Sequence, residues 1–216
     1  MTPPVRLAQT ERAALCGTAL EVGEGQPTLC DGWTVKDLVV HLLIREGSPA
    51  ALGIMLPPLA GLMARASRRL ARNEFPELVE RLRSGPPRLS PYAVPKLDEL
   101  LNTLEYFVHH EDIRRAQPDW APRALGDRRE RTLWSMVKSA GPRLTRSVPV
   151  GVTIENSATG SAAVLREGTR GTSAVTVRGL PSEVTLYVFG RSEQARVELL
   201  GDDDAVARLS ATTLEI

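Results

Sequence analysis

The chain contains three histidines, His41, His109 and His110, and the chemistry open to each depends on what stands one helical turn away. In Leu104-Glu105-Tyr106-Phe107-Val108-His109-His110-Glu111-Asp112, Glu105 and His109 are four positions apart. On a helix this carboxylate and imidazole share a face and can reach one divalent ion at about 2.0 to 2.2 Å. Advancing about 100 degrees per residue places Asp112 in the same stripe, while His110 falls about a quarter-turn further round and leaves it. His41 supplies a third ligand from Trp33-Thr34-Val35-Lys36-Asp37-Leu38-Val39-Val40-His41. It stands at the flank of an otherwise apolar segment, where a ligand pointing into a helical bundle belongs. Three protein ligands leave one coordination position open. Asp112 then either orients His109 through its other ring nitrogen or pairs with Arg114 or Arg115. The same spacing also suits a hydrogen-bonded core histidine or a surface Glu-His pair, so spacing alone leaves these readings open beside the metal site.

Both stretches need helices to place them. The segment from Val5 to about Leu20 mixes Ala, Leu and charged residues with good helix propensity until Gly23 and Gly25 stop it. Thr34 followed by Asp37 forms a capping box with a shortened acid, and the helix behind it is apolar almost all round, which predicts a central position. Gly47-Ser48-Pro49 ends that helix. Ala50 to Leu56 reads as helical up to Pro57-Pro58, and a basic helix follows from about Leu59 to Arg72. There Arg65, Arg68, Arg69 and Arg72 fit a solvated face better than an anion-binding patch. Phe75 to Leu82 is another short helix, and the prolines between Pro86 and Pro95 form a loop. From Lys96 to about Ala116, Leu97, Leu100, Leu101, Leu104, Phe107 and Val108 give the strongest helical period in the chain. Asp127 to about Ala140 reads as the last bundle helix, closed or kinked at Gly141-Pro142.

Beyond Pro149 the pattern changes to short alternating runs separated by glycines, with strands expected over Val148 to Ile154, Ala162 to Leu165, Ala174 to Val177 and Arg196 to Leu199. Pro181 to Phe189 is ambiguous: Val184, Leu186 and Val188 alternate as in a strand, but Pro181-Ser182-Glu183 opens as a helix does. Asp202, Asp203 and Asp204 cap a short helix through about Ser210, a better account of them than calcium binding. The fold class is therefore α+β, with a helical domain over 1–146 and a small mixed domain over 147–216.

Composition removes several classes of function. The 27 basic and 26 acidic side chains leave a net charge of +1, which offers no broad field for nucleic acid or an anionic membrane. No apolar run is long enough to span a bilayer and no leader opens the chain, so a cytoplasmic protein, monomer or homodimer, is expected. Cys16 and Cys30 are the only cysteines and lack CxxC spacing, which argues against a disulfide framework and a cysteine-based zinc site. Packing is the simpler account of Cys30, although its place near the second helix could bring it toward the metal.

Two motifs carry a resemblance. Thr28-Leu29-Cys30-Asp31-Gly32-Trp33-Thr34-Val35-Lys36-Asp37-Leu38-Val39-Val40-His41-Leu42 and Glu105-Tyr106-Phe107-Val108-His109-His110-Glu111-Asp112-Ile113-Arg114-Arg115 resemble those of the mycothiol-dependent maleylpyruvate isomerase family, among the DinB-like metal-binding bundles. The chain is similar in particular to an uncharacterised metal-binding branch. The resemblance implies a DinB-like four-helix bundle holding a divalent metal, zinc above all, on His41, Glu105 and His109, with Asp112 behind His109. Gly151-Val152-Thr153-Ile154, Val177-Arg178-Gly179-Leu180-Pro181-Ser182-Glu183, Gly190-Arg191 and Val197-Glu198-Leu199-Leu200-Gly201-Asp202 are similar to the family's C-terminal domain, related to sterol-carrier folds. That similarity implies a helix at Pro181 to Phe189.

The implied function is an isomerase or S-transferase acting on a small electrophile with a low-molecular-weight thiol such as mycothiol. Arg191 would bind a substrate carboxylate, and its alternative is ordinary surface charge. A non-catalytic metal bundle, structural or sensing, requires the same ligands. A carrier of an apolar ligand in the second domain is a third reading.

Overall fold

The structure, a computed structural model, describes residues 7–47, 60–87, 95–168 and 173–214. They fall into two compact units, Met1–Pro122 and Arg123–Ile216. The first is helical and the second mixes helices with one sheet, as α+β requires.

In the first unit, α1 (Leu7–Val22) packs on α5 (Pro95–Arg115) and on α4 (Phe75–Arg83), and α2 (Val35–Gly47) packs on α4 and on α3 (Ala60–Leu70). Their shared core contains Leu15, Cys16 and Ala19 from α1, Leu38, Val39 and Leu42 from α2, Leu78, Val79 and Leu82 from α4, and Tyr106 and Ile113 from α5. The all-round apolar character of α2 has its physical counterpart in burial: Val40, Leu43 and Ile44 are buried along with Val39 and Leu42. The run Ala50 to Leu56, expected to be helical, lies outside the described residues.

The capping box forms at the entrance to α2. Thr34 Oγ1 accepts from the Asp37 backbone N–H at 3.2 Å, and Asp37 Oδ2 accepts from the Thr34 N–H at 3.0 Å, so two otherwise orphaned amides are satisfied by each other's side chains. The connector before it is pinned by its own backbone. Trp33 N–H donates to Cys30 O at 2.9 Å, Thr28 N–H to Trp33 O at 3.1 Å, and Leu29 N–H reaches across to Asp112 O of α5 at 3.1 Å. Gly32 turns the chain with φ +71, a conformation that L side chains rarely adopt.

The second unit opens with α6 (Asp127–Leu144), then β1 (Gly151–Asn156), β2 (Ala162–Arg166), β3 (Ala174–Gly179), α7 (Pro181–Val188), β4 (Glu198–Leu200) and α8 (Asp203–Ser210). The sheet order is β2-β1-β3-β4. β1 pairs antiparallel with β2 and parallel with β3, and β3 pairs antiparallel with β4. Helix α6 packs on α7 and β2, so it belongs to the same compact unit as the sheet. The sequence pattern instead counts this helix with the bundle and puts the boundary after residue 146.

One further difference has a clear cause, and the helix that the resemblance implies at Pro181 is present. α6 runs through Gly141 and Pro142 to Leu144, because a proline in the last turn removes only one hydrogen bond. Gly141 serves packing: a Cβ there would meet Leu165 Cδ1 at 2.6 Å. Pro181 to Val188 is a helix with every residue buried, so its apolar alternation carried no information about a solvent face. The three aspartates sit at the start of α8, where Asp204 pairs with Arg208 at 2.7 Å.

Candidate metal centre

Helix α5 presents Glu105 and His109 one turn apart, and α2 brings His41 to them. Glu105 Oε1 is 3.2 Å from His109 Nε2 and 3.6 Å from His41 Nε2. All three ligand atoms lie within 4.8 Å of one another. Bonds of about 2.1 Å in a tetrahedral site set neighbouring ligand atoms about 3.4 Å apart, and the separations of 3.2 and 3.6 Å bracket that spacing. The donor set, two imidazoles and a carboxylate, suits zinc or another borderline divalent ion.

The surroundings shape this trio. His109 Nδ1 stands 2.9 Å from Asp112 Oδ2, and Asp112 is fully buried. A proton held on Nδ1 by that carboxylate leaves Nε2 as the nitrogen directed at Glu105 and His41. Arg114 and Arg115 pair with Glu111, at 2.9 and 2.6 Å. His41 packs between Trp33, at 5.0 Å between ring centroids, and His109, at 5.5 Å.

Electrostatics follow from the crowding. Burial alone would raise the Glu105 carboxyl, but hydrogen bonds from His109 and His41, the charge of His109 and that of Arg45 hold it well below the usual carboxylate range. Burial likewise disfavours a charged His109. Its hydrogen bonds to Asp112, Cys30 and Glu105, together with the Glu105 charge, overturn that and hold the imidazolium well above the ordinary histidine range. Each ring nitrogen of His109 faces a carboxylate, an arrangement that favours the imidazolium.

Three features of the site go beyond the sequence reading, which named an approach of Cys30 to the metal only as the alternative to packing. Arg45 Nε lies 3.2 Å from Glu105 Oε1; the signal was present, since Arg45 follows His41 by one turn. Cys30 Sγ donates to Asp112 Oδ2 at 3.3 Å, a contact made by loop folding that no spacing rule reveals. A pocket of about 370 Å³ opens beside His41, lined also by Trp33, Asp37, Ser67 and Arg68, so one arginine of the basic helix borders the site although its face is exposed. His110, set aside on angular grounds, is buried elsewhere: Nδ1 is 3.3 Å from Glu11 Oε2 and Nε2 is 2.8 Å from Thr18 Oγ1. Arg191 is in the second unit, after α7, and its guanidinium donates to the carbonyl of Phe189.

Fold and site together define an α+β chain whose helical unit carries a carboxylate–imidazole trio suited to a divalent ion. No protein-family model and no curated protein matches it. Among solved structures, the chain is similar to the mycothiol-dependent maleylpyruvate isomerase and to a histidine-to-alanine mutant of that enzyme. Each comparison has a TM-score of 0.56 at 16% identity and covers 89% of this chain and 90% of the other. At that identity the likeness establishes the fold. Among the described residues no helix is long and apolar enough to cross a membrane.

Proposed function

We propose that this chain is a divalent-metal protein, and that it uses a zinc ion and a low-molecular-weight thiol of the mycothiol kind to isomerise or transfer onto a small electrophile. The observation that carries the reading is the convergence of His41, Glu105 and His109 within 4.8 Å. The shared fold with an enzyme described as mycothiol-dependent supports the choice of cosubstrate. In this reading the helical unit is a DinB-like four-helix bundle, the second unit is sterol-carrier-like, and the protein works in the cytoplasm.

A bound ion supplies one thing: it favours a thiolate over a thiol, so that a nucleophile is present at neutral pH. The chain's own residues do the rest. His41, Glu105 and His109 hold the ion, and Asp112 keeps the His109 ring in the tautomer that exposes Nε2. Arg45 shares Glu105 Oε1 and fixes the carboxylate's rotamer from its own helix, α2. The pocket beside His41, with Trp33 as its aromatic wall, admits the small molecules. Arg191 offers a planar fork to a substrate carboxylate.

Elemental analysis of the native protein beside His41→Ala tests the site first, with zinc expected in the former and lost from the latter. Mycothiol-dependent consumption of maleylpyruvate or a related electrophile tests the activity, with loss in His109→Ala while circular dichroism stays native. Arg191→Ala should raise KM for a carboxylate substrate. Protein purified gently without any bound metal would overturn the proposal. A large fall in Tm on chelation without thiol-dependent turnover would instead establish a structural or sensing bundle.

A further inference from the structure

The ring of His109 has ligand-type atoms on both sides. Nε2 faces Glu105 and His41; Nδ1 faces Asp112 Oδ2 at 2.9 Å and Cys30 Sγ at 3.9 Å, and Sγ and Oδ2 are themselves 3.3 Å apart. Thiol, carboxylate and imidazole converge here within 4.8 Å of one another. A four-coordinate ion with bonds of about 2.0 to 2.3 Å to N, O and S sets its ligands roughly 3.3 to 3.8 Å apart; the 3.3 Å separation falls in that range, and those of 2.9 and 3.9 Å lie just below and above it. Two elements hold the trio, a helix and a loop bonded to it. Asp112 and His109 share a face of α5, while Cys30 is held in a loop whose backbone bonds to Trp33 and, through Leu29, to Asp112 O.

We infer that Cys30, Asp112 and Nδ1 of His109 form a second cation site, one that selects thiolate-preferring ions such as Co(II), Zn(II) or Cd(II) and is coupled to the first set through the shared imidazole. A thiolate ligand distinguishes it chemically from the Nε2 set, which offers only nitrogen and oxygen. Binding is coordination without redox change: the ion enters as the Cys30 thiol proton and the Nδ1 proton leave, and the ring keeps its other proton on Nε2, facing Glu105. The hydrogen-bonded and ion-bound states therefore use the same atoms, with the ion replacing two protons. Cys16 does not compete, because it is fully buried, its thiol donates to Val79 O at 3.7 Å, and burial pushes it up to about 11.

With the ring proton on Nε2, an ion at this site competes with one on the Nε2 set for the shared imidazole, and the test separates the two. Metal-free full-length protein is titrated with Co(II) under reducing conditions, and thiolate-to-cobalt charge-transfer absorption is followed in the near ultraviolet. The band is expected in the wild type, in Cys16→Ser, and in His41→Ala and Glu105→Gln, each of which removes a ligand only from the first set. It is expected to disappear in Cys30→Ser, which keeps the weaker visible cobalt absorption of the Nε2 set. Absence of the band at saturating cobalt from the wild type and from both first-set variants overturns the inference. So does a band lost from both His41→Ala and Glu105→Gln with the fold intact, since Cys30 would then belong to the first set. So does a Cys30→Ser protein that loses cobalt affinity without the parent ever showing the band, which would leave Cys30 acting only through Asp112.

Discussion

Helix α5 carries two polar stripes that use similar residues for different ends. Asn102, Tyr106 and His110 recur at i, i+4 and i+8, and Glu105, His109 and Asp112 at i, i+4 and i+7. The first stripe is closed. His110 meets one carboxylate and one hydroxyl, and Glu46 Oε1 accepts from Arg12 at 2.7 Å, from Asn102 at 3.0 Å and from the Tyr106 hydroxyl. Its residues are 3% exposed or less. In the second stripe one oxygen of Glu105 is met by two imidazole nitrogens and Arg45, and the Glu105 and His41 side chains keep 20% exposure beside the pocket. A histidine and a glutamate make a core network when each ring nitrogen has one partner. They offer a candidate ion site when two imidazole nitrogens converge on one carboxylate oxygen.

The largest effect should come from opening the closed stripe. Glu46→Ala removes the carboxylate that neutralises the Arg12 guanidinium, which Tyr106 and Glu46 together hold above its ordinary value against burial. A loss of about 3 to 5 kcal/mol is expected for breaking such a buried pair, read as a shifted urea midpoint. A matching loss of zinc affinity in the folded protein would break the separation of the two stripes. His109→Ala is the mirror case. Zinc affinity should fall by more than about 100-fold, beyond the range for residues that merely support a ligand, and urea stability of the metal-free protein should change far less than in Glu46→Ala.

Asp112→Asn sharpens the second stripe from within. The amide can no longer hold the Nδ1 proton as a carboxylate does, so zinc should bind about 10- to 100-fold more weakly, measured by competition with a chelator. An unchanged affinity would remove Asp112 from the site. The pH dependence follows from His109 and Glu105. The His109 pKa is raised on folding, so its stabilising effect is fully present below the ordinary histidine pKa and is lost as pH rises through the raised value. The Glu105 pKa is depressed, so its contribution is present above the ordinary carboxylate range and is lost as pH falls through the lowered value. The metal-free protein should be destabilised at both ends. Zinc must displace the Nε2 proton of His109, so its affinity should rise with pH, with about one proton released per ion. Calorimetry in buffers of different ionisation heat would read that release, and pH-independent binding would contradict it.

The second stripe was legible because helical angles are local. Glu105, His109 and Asp112 share a side of α5, and His110 leaves it, by rotation alone. The arrival of His41 is tertiary; its place at the flank of an apolar helix made it a candidate, and the resemblance assigned it to the site. Arg45 was within reach of the same one-turn rule applied to His41. Cys30 was not, since its position depends on the loop bonding that carries it to Asp112. In the second unit, the fully buried α7 defeated periodicity, and Gly141-Pro142 looked like a terminator because sequence cannot show Leu165 pressing on the glycine. Strand order β2-β1-β3-β4, with its parallel central pair, likewise has no local signature.

The smallest expected effect concerns how the second stripe receives its partner. His41 stands near the middle of α2, and the direction of that helix is set at its first turn, where Thr34 and Asp37 exchange backbone hydrogen bonds. Thr34→Ala removes the hydroxyl that accepts from the Asp37 N–H, at a cost of about 1 kcal/mol, visible as a modest fall in Tm. The buried residues Leu38, Val39 and Leu42 hold α2 against the core regardless of its cap. Zinc stoichiometry and affinity should therefore remain those of the wild type. A loss of affinity comparable to that of Asp112→Asn would mean that the fraying first turn reaches His41. The second stripe would then depend on local helix stability in a way that the closed stripe, anchored at Arg12 and Glu46, does not.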